Sequence, residues 1–203
     1  MTQLIPVKLR IYGQFKFLTF QCLLLQVLNA ALHVLAYFVR ALEKPRDLVF
    51  SALAYPVGSL VVYTFWAVWH TLGREFIFPL ELSQYYPDWL NHATHTIIVP
   101  INILLAVLVH HKYSSAGLYV TLAFTGFYTL FLHLIKAQSG LFVYKYLDAM
   151  GDVQRLVYFG LTGVFAHITY KSGQLLTELV HGRQAAGGVK AKAPAAAKKQ
   201  KQK

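Results

Sequence analysis

Residues 17–39 pass without a single Asp, Glu, Lys or Arg. Similar apolar runs follow at 49–69, 95–109, 118–135 and 153–170, the last interrupted only by Arg155. A helix of about 20 mostly apolar residues spans the hydrocarbon of a bilayer. In hydrocarbon every backbone N–H and C=O must be satisfied within the segment, which leaves the helix as the fold for such runs. The pattern predicts an all-α, polytopic membrane helix bundle of about five transmembrane helices, with six as the alternative. The charged fraction is 13%, against about 25% in a soluble domain. It is too small to coat a water-facing surface.

The third run is short and ends at His110-His111-Lys112; a start near Trp89 would extend it. Pro56 and Gly58 in the second run predict a kink, with neighbouring helices satisfying the freed carbonyl. The basic start (Lys8, Arg10, Lys16) resembles a signal peptide, with Ala30 or Ala31 as a cleavage point. The apolar run is longer than an h-region of about 7–15 residues, so it reads as a span. The domain reading is a transmembrane unit over 1–182 and a disordered basic tail over 183–203.

The net charge of +11 is concentrated in that tail, which contains no aromatic residue. It lacks the folded basic face of a nucleic-acid binder. Its end, Lys199-Gln200-Lys201-Gln202-Lys203, has the form of an endoplasmic-reticulum retrieval signal read by coat proteins. With five spans, Arg40, Lys44, Arg46, Lys112, Lys171 and the tail lie on one side. That side is the more basic and is expected to be cytosolic. The expected location is the endoplasmic reticulum or another endomembrane, or the plasma membrane, with a cytosolic C-terminus. One cysteine, Cys22, excludes an intramolecular disulfide.

The densest polar cluster is Trp89-Leu90-Asn91-His92-Ala93-Thr94-His95-Thr96. In a helix Asn91 and His95 share a face, and His92 and His95 are neighbours. Two histidines are too few for a metal site, so no metal or cofactor is expected; the plain reading is interfacial hydrogen bonding beside Trp89. Lys16-Phe17-Leu18-Thr19-Phe20 opens the first run, and a threonine there commonly caps the helix. The first and third spans run in the same direction, so Thr19 and His95 enter the membrane from one face. A hydroxyl and an imidazole that meet make an activated nucleophile. Cys22, three residues from Thr19, shares its face, but a thiol in apolar surroundings is usually inert. His33 and His167 lie at similar depth and define a non-catalytic alternative, a b-type haem protein; a small transporter or scaffold is another.

An ordered set of landmarks resembles one family. They are Lys16 to Phe20; Tyr55-Pro56-Val57-Gly58; Phe65-Trp66; Arg74-Glu75; Trp89-Leu90-Asn91-His92 with His95-Thr96; Pro100; and Val143-Tyr144. Together they resemble the androgen-induced gene 1 family, which includes the androgen-dependent TFPI-regulating protein. The resemblance implies a multi-pass membrane hydrolase of fatty acid esters of hydroxy fatty acids, with a threonine nucleophile on Thr19 and a histidine base on His95. Asn91 would orient His95 or donate to the oxyanion, or only hydrogen-bond at the helix start. A cation on the side where Thr19 enters, Lys16 or else Arg74 or Arg155, would hold the free carboxylate of the lipid substrate; the plain reading of Lys16 is that it snorkels to the headgroups. The family's loop motif often reads Val-Tyr-Pro; here it is Val143-Tyr144-Lys145.

The charge count generates a topology test. A glycosylation acceptor placed in the 72–94 loop should be modified, and one in the tail should not; the opposite pattern reverses the orientation.

Overall fold

The structure is a computed structural model that describes residues 11–77 and 87–182. The tail, Lys8, Arg10 and the part of the loop at 78–86 lie outside the described residues. Among the described residues there is no strand. Four helical segments are long and apolar enough to cross a membrane: Leu18–Phe38, Arg40–Thr71, Asp88–Leu108 and Ser115–Ser139. The last long helix, Asp152–His181, has 30 residues, about 45 Å at 1.5 Å per residue. It carries Asp152, Arg155, Lys171 and Glu178.

Helix α1 (Leu18–Phe38) starts where the backbone of Phe17 is extended and stops at extended Val39. It presents Val27, Val34, Tyr37 and Phe38 outward, all more than 60% exposed. Such a face suits lipid and not water.

The second segment lies at the centre of the bundle and is not a regular helix. It begins as α2 (Glu43–Val49), widens into a π turn at Phe50–Ala54 and continues as α3 (Tyr55–Thr71). Pro56 has no N–H and cannot bond the carbonyl of Ala52, four residues back. The Thr121 hydroxyl donates to that carbonyl at 2.7 Å. Ala54 O accepts from Gln26 Nε2 at 2.8 Å and Asn102 Nδ2 at 3.0 Å. The kink read from Pro56 and Gly58 is thus a π turn, and three other helices send side-chain donors to its carbonyls.

The third segment breaks into α4 (Asp88–His95) and α5 (Ile98–Leu108). Pro100, in the first turn of α5, cannot donate to Thr96, and Thr96 leaves helical geometry at φ −131°. This span therefore starts at Asp88, upstream of the apolar run at 95–109. Ser114 caps α6 (Ser115–Ser139) by accepting from Gly117 N at 3.1 Å. Gly140, at φ +77°, ends α6 in the left-handed conformation that glycine adopts freely. A loop containing α7 (Lys145–Asp148) leads to α8 (Asp152–His181). The Asp148 carboxylate pins this loop, accepting from Lys136 Nζ at 2.5 Å and Phe142 N at 3.0 Å. α3 packs on α8, α5 and α1, and α6 packs on α8.

At the end of the bundle where α1 finishes, His33 pairs with His111, Nε2 to Nε2 at 3.3 Å, and not with His167. His33 Nδ1 donates to Asn29 O, and His111 Nδ1 meets Asp47 Oδ1 at 3.2 Å. Phe50 stacks on His111 at 3.8 Å. His167 is exposed on α8.

Close packing at the π turn gives a test. A Cβ on Gly58 would lie 2.7 Å from Ile98 Cγ2 and 2.9 Å from the amide nitrogens of Asn102 and Gln26. A Cβ on Gly126 would meet nothing within 4 Å. Gly58→Ala should destabilise the protein by about 1–3 kcal/mol, the usual cost of overpacking, while Gly126→Ala should be neutral or stabilising. Thermal unfolding in micelles would measure both, and equal effects would refute the tight crossing.

Candidate active site

The break between α4 and α5 leaves the His95 carbonyl without a helical donor. The indole Nε1–H of Trp66 takes that place at 2.9 Å and also reaches Thr96 Oγ1 at 3.2 Å. The neighbouring ring of Phe65 lies flat on the His95 imidazole, with centroids 3.7 Å apart and planes at 11°. Two consecutive aromatics of α3 thus hold the main chain and the ring of one histidine.

The protons on that ring follow from its partners. His95 Nδ1 lies 3.0 Å from Asn91 Oδ1 and 2.9 Å from Thr94 Oγ1. The Thr94 hydroxyl donates to Leu90 O at 2.9 Å. Both atoms facing Nδ1 therefore act as acceptors, and Nδ1 carries the hydrogen. The lone pair is left on Nε2, and Thr19 Oγ1 lies 3.1 Å from it. The arrangement is a hydroxyl donating to a basic nitrogen whose far side is anchored by an amide oxygen. Asn91 and His95 share a face of α4, as their four-residue spacing implies. Asn91, Thr94 and His95 are all buried.

Thr19, the second residue of α1, is aimed by the segment before it. The Leu18 N–H donates to the Tyr144 hydroxyl at 3.0 Å. Tyr144 donates to Tyr128 Oη at 3.1 Å, and Tyr128 donates to Lys16 O at 2.9 Å. Two phenols from α6 and the following loop thereby fix residues 16–18. Burial raises the Tyr144 phenol above its ordinary value, so it stays a neutral hydroxyl. Residue reading alone gave no role to Tyr144 or to Phe65-Trp66, whose signal was membership of the landmark set; Tyr128 carried no signal in the sequence.

The other singled-out residues lie elsewhere. Lys16 is buried, with Nζ donating to Gly13 O at 2.9 Å and 4.9 Å from the Phe17 ring centroid. It is not among the residues lining the cavity described below, so the carboxylate-holding place expected for it is not where its ammonium sits. His92 is exposed and turned to Thr96 Oγ1. Cys22 is fully buried against Val57, Val61 and Ile98. Arg155 is engaged with Leu147 O and Asp152.

Thr19 and His95 open into a cavity of about 510 Å³ between α1, α3, α4, α6 and α8, within the range of about 300–1,000 Å³ typical of small-molecule sites. Leucine, phenylalanine, tyrosine and threonine make up most of its wall. Among the described residues no Asp, Glu, Lys or Arg lines it. Among the described residues no cluster of three metal-ligating side chains occurs.

Fold and site together define a polytopic α-helical membrane protein with a part-buried hydroxyl–imidazole pair in an apolar cavity. Residues 3–178 match the family described as FAR-17a/AIG1-like protein, and the chain belongs to that family. It is 30% identical to the androgen-induced gene 1 protein of Homo sapiens, over 85% of this chain and 79% of that one. It is 33% identical to the androgen-dependent TFPI-regulating protein of Homo sapiens, over 68% of this chain and 60% of the relative. Identity to the Mus musculus protein of that name is 30%, over 64% and 56%. The chain thus spans less than two thirds of these last two relatives. No solved structure matches.

The proton assignment is measurable. In 15N spectra of histidine-labelled protein, the signal lost in His95→Gln should be a neutral imidazole protonated on Nδ1. A signal protonated on Nε2 would contradict the hydrogen-bond pattern.

Proposed function

We propose that this protein is a membrane-embedded hydrolase of fatty acid esters of hydroxy fatty acids, with Thr19 as nucleophile and His95 as general base. The observation that carries the reading is the 3.1 Å contact between Thr19 Oγ1 and the unprotonated nitrogen of His95, inside an apolar cavity. The relatives' names do not describe an activity; the reaction class rests on this geometry and on the family resemblance.

In this mechanism Thr19 Oγ1 attacks the ester carbonyl while its proton passes to His95 Nε2. A threonine hydroxyl is a weak nucleophile, so the positioned base is essential. The Asn91 amide oxygen stabilises the imidazolium through Nδ1–H. The tetrahedral intermediate collapses, the C–O bond of the alcohol breaks, and His95 returns the proton to the leaving alkoxide. This releases the hydroxy fatty acid and leaves an acyl group on Thr19. Water then attacks that acyl carbonyl, gives a proton to His95, and frees the fatty acid and the Thr19 hydroxyl. Each cycle consumes one ester and one water.

An apolar wall suits such a substrate, because its two chains are burying surface they already hide from water in the bilayer. An endomembrane location with the C-terminal lysines in the cytosol, open to coat-protein recognition, belongs to the same proposal.

Thr19→Ala and His95→Ala should each reduce ester hydrolysis by about 10³-fold or more, with the protein still folded in membranes; loss of a general base alone costs about 10²–10⁴. The double variant should be no worse than either single one, because the two act as a unit. Substantial turnover by purified Thr19→Ala protein would sink the assignment.

A further inference from the structure

The space beside Thr19 and His95 does not end at α6 and α8. Thr125 and Thr129 of α6 and Phe159 of α8 line the cavity, and the same three residues line a second space of about 380 Å³ along the α6–α8 seam. Leu122, Gly126 and Leu130 of α6 and Gly163 of α8 complete the wall of that groove. Gly126 is exposed and Leu130 is 71% exposed, so the groove faces away from the bundle. The charges set its depth. α6 has no Asp, Glu, Lys or Arg before Lys136, and α8 has none between Arg155 and Lys171. The groove therefore opens into hydrocarbon.

Its wall suits an apolar chain. Thr125 and Thr129 give their hydroxyl hydrogens to the carbonyls of Thr121 and Thr125, so the polarity of the shared wall is met within α6 and hydrocarbon can lie against it. Glycines in membrane helices commonly let neighbouring backbones approach closely. Here a Cβ on Gly126 or on Gly163 would meet nothing within 4 Å, so these two widen the groove instead. Size points the same way. The inner cavity of about 510 Å³ matches a drug-sized molecule. A lipid with two long chains is larger, and part of it has to leave the cavity.

We infer that the α6–α8 groove is an acyl-chain site: a lipid whose carbonyl lies at Thr19 and His95 runs one chain past Thr125, Thr129 and Phe159 and out between the two helices. The bilayer supplies the occupant, because the groove is apolar and opens among lipid chains. That the lipid is an ester rests on the hydrolase reading; the chain site rests on the wall that the two spaces share. The site selects by chain length. A short acyl group stays within the cavity and never reaches the groove, whereas a long one needs it.

Two measurements on the full chain in phosphatidylcholine nanodiscs test this. The first needs neither a variant nor turnover. An N-alkyl fatty amide carrying a diazirine near the methyl end of its long acyl chain is photolysed, and its adducts are mapped by mass spectrometry. Leu122, Leu130 and Phe159 should be labelled, and an excess of the same amide without the diazirine should suppress that labelling. Val27 and Val34, on the outward face of α1, report bulk lipid, and their labelling should not change. Groove labelling that responds to competitor no more than Val27 and Val34 do overturns the inference. The second measurement is turnover by Gly126→Leu and Gly163→Leu, each of which puts a side chain into the groove. Each should raise KM for a long-chain ester about tenfold, within the range that overpacking costs, with kcat little changed. KM for the butyryl ester of the same alcohol should stay as in wild type. An equal effect on both esters, or none on either, overturns the inference. A wild-type protein that hydrolyses no ester yet shows suppressible labelling of the groove defeats the hydrolase reading and leaves the chain site standing.

Discussion

An unpaired backbone carbonyl in hydrocarbon costs several kcal/mol, and this fold is organised around the places where its helices leave carbonyls unpaired. At the π turn, Pro56 leaves Ala52 O without its ordinary helical donor, and Ala54 O is open to further ones. Thr121, Gln26 and Asn102 reach in from three other helices to these two oxygens. At the α4–α5 break, Trp66 does the same for His95. Each repair ties two elements at a fixed depth. A bundle in lipid gains little from burying one apolar face against another, so such polar ties and close packing carry its specificity.

The site is a by-product of the second repair. Because α4 stops at His95, the imidazole sits at a helix end, where Phe65 covers its face and Asn91 anchors its Nδ1. Thr19 sits at another helix end, where α1 begins. Helix ends leave N–H and C=O groups for other partners, and both halves of the pair are built where regular structure stops. The tyrosine chain from Tyr144 through Tyr128 to Lys16 O is the brace that ties the start of α1 to α6 and the loop after it.

The bundle was legible in the charge-free runs, since their length and lack of Asp, Glu, Lys and Arg leave one solution in lipid. The common entry side of Thr19 and His95 followed from span counting. Contact between them did not, because it depends on the angle at which α1 and α4 meet, and that angle is set by residues distant in sequence such as Tyr144. Pro56 announced a disturbance of the second span, but its form as a π turn needed Thr121, 65 positions on. Lys16 illustrates a limit of proximity arguments: one turn before Thr19 in sequence, its ammonium turns back to Gly13 O. His33 was read as facing His167; the loop after α5 instead brings His111 to it.

Trp66 gives this protein an optical handle. Its indole donates to the His95 carbonyl and lies between two imidazoles, with ring centroids 5.6 Å from His70 and 5.5 Å from His92. Imidazole quenches indole emission, and the emission maximum follows the strength of the hydrogen bond at Nε1. Any ligand that shifts His95 by a fraction of an ångström therefore alters the environment of a natural fluorophore. Of the other two tryptophans, Trp89 is 70% exposed and Trp69 lies 5.6 Å from Trp66 by ring centroid. The residue that completes the backbone at the α4–α5 break can thus report, without a label, when the cavity beside it fills.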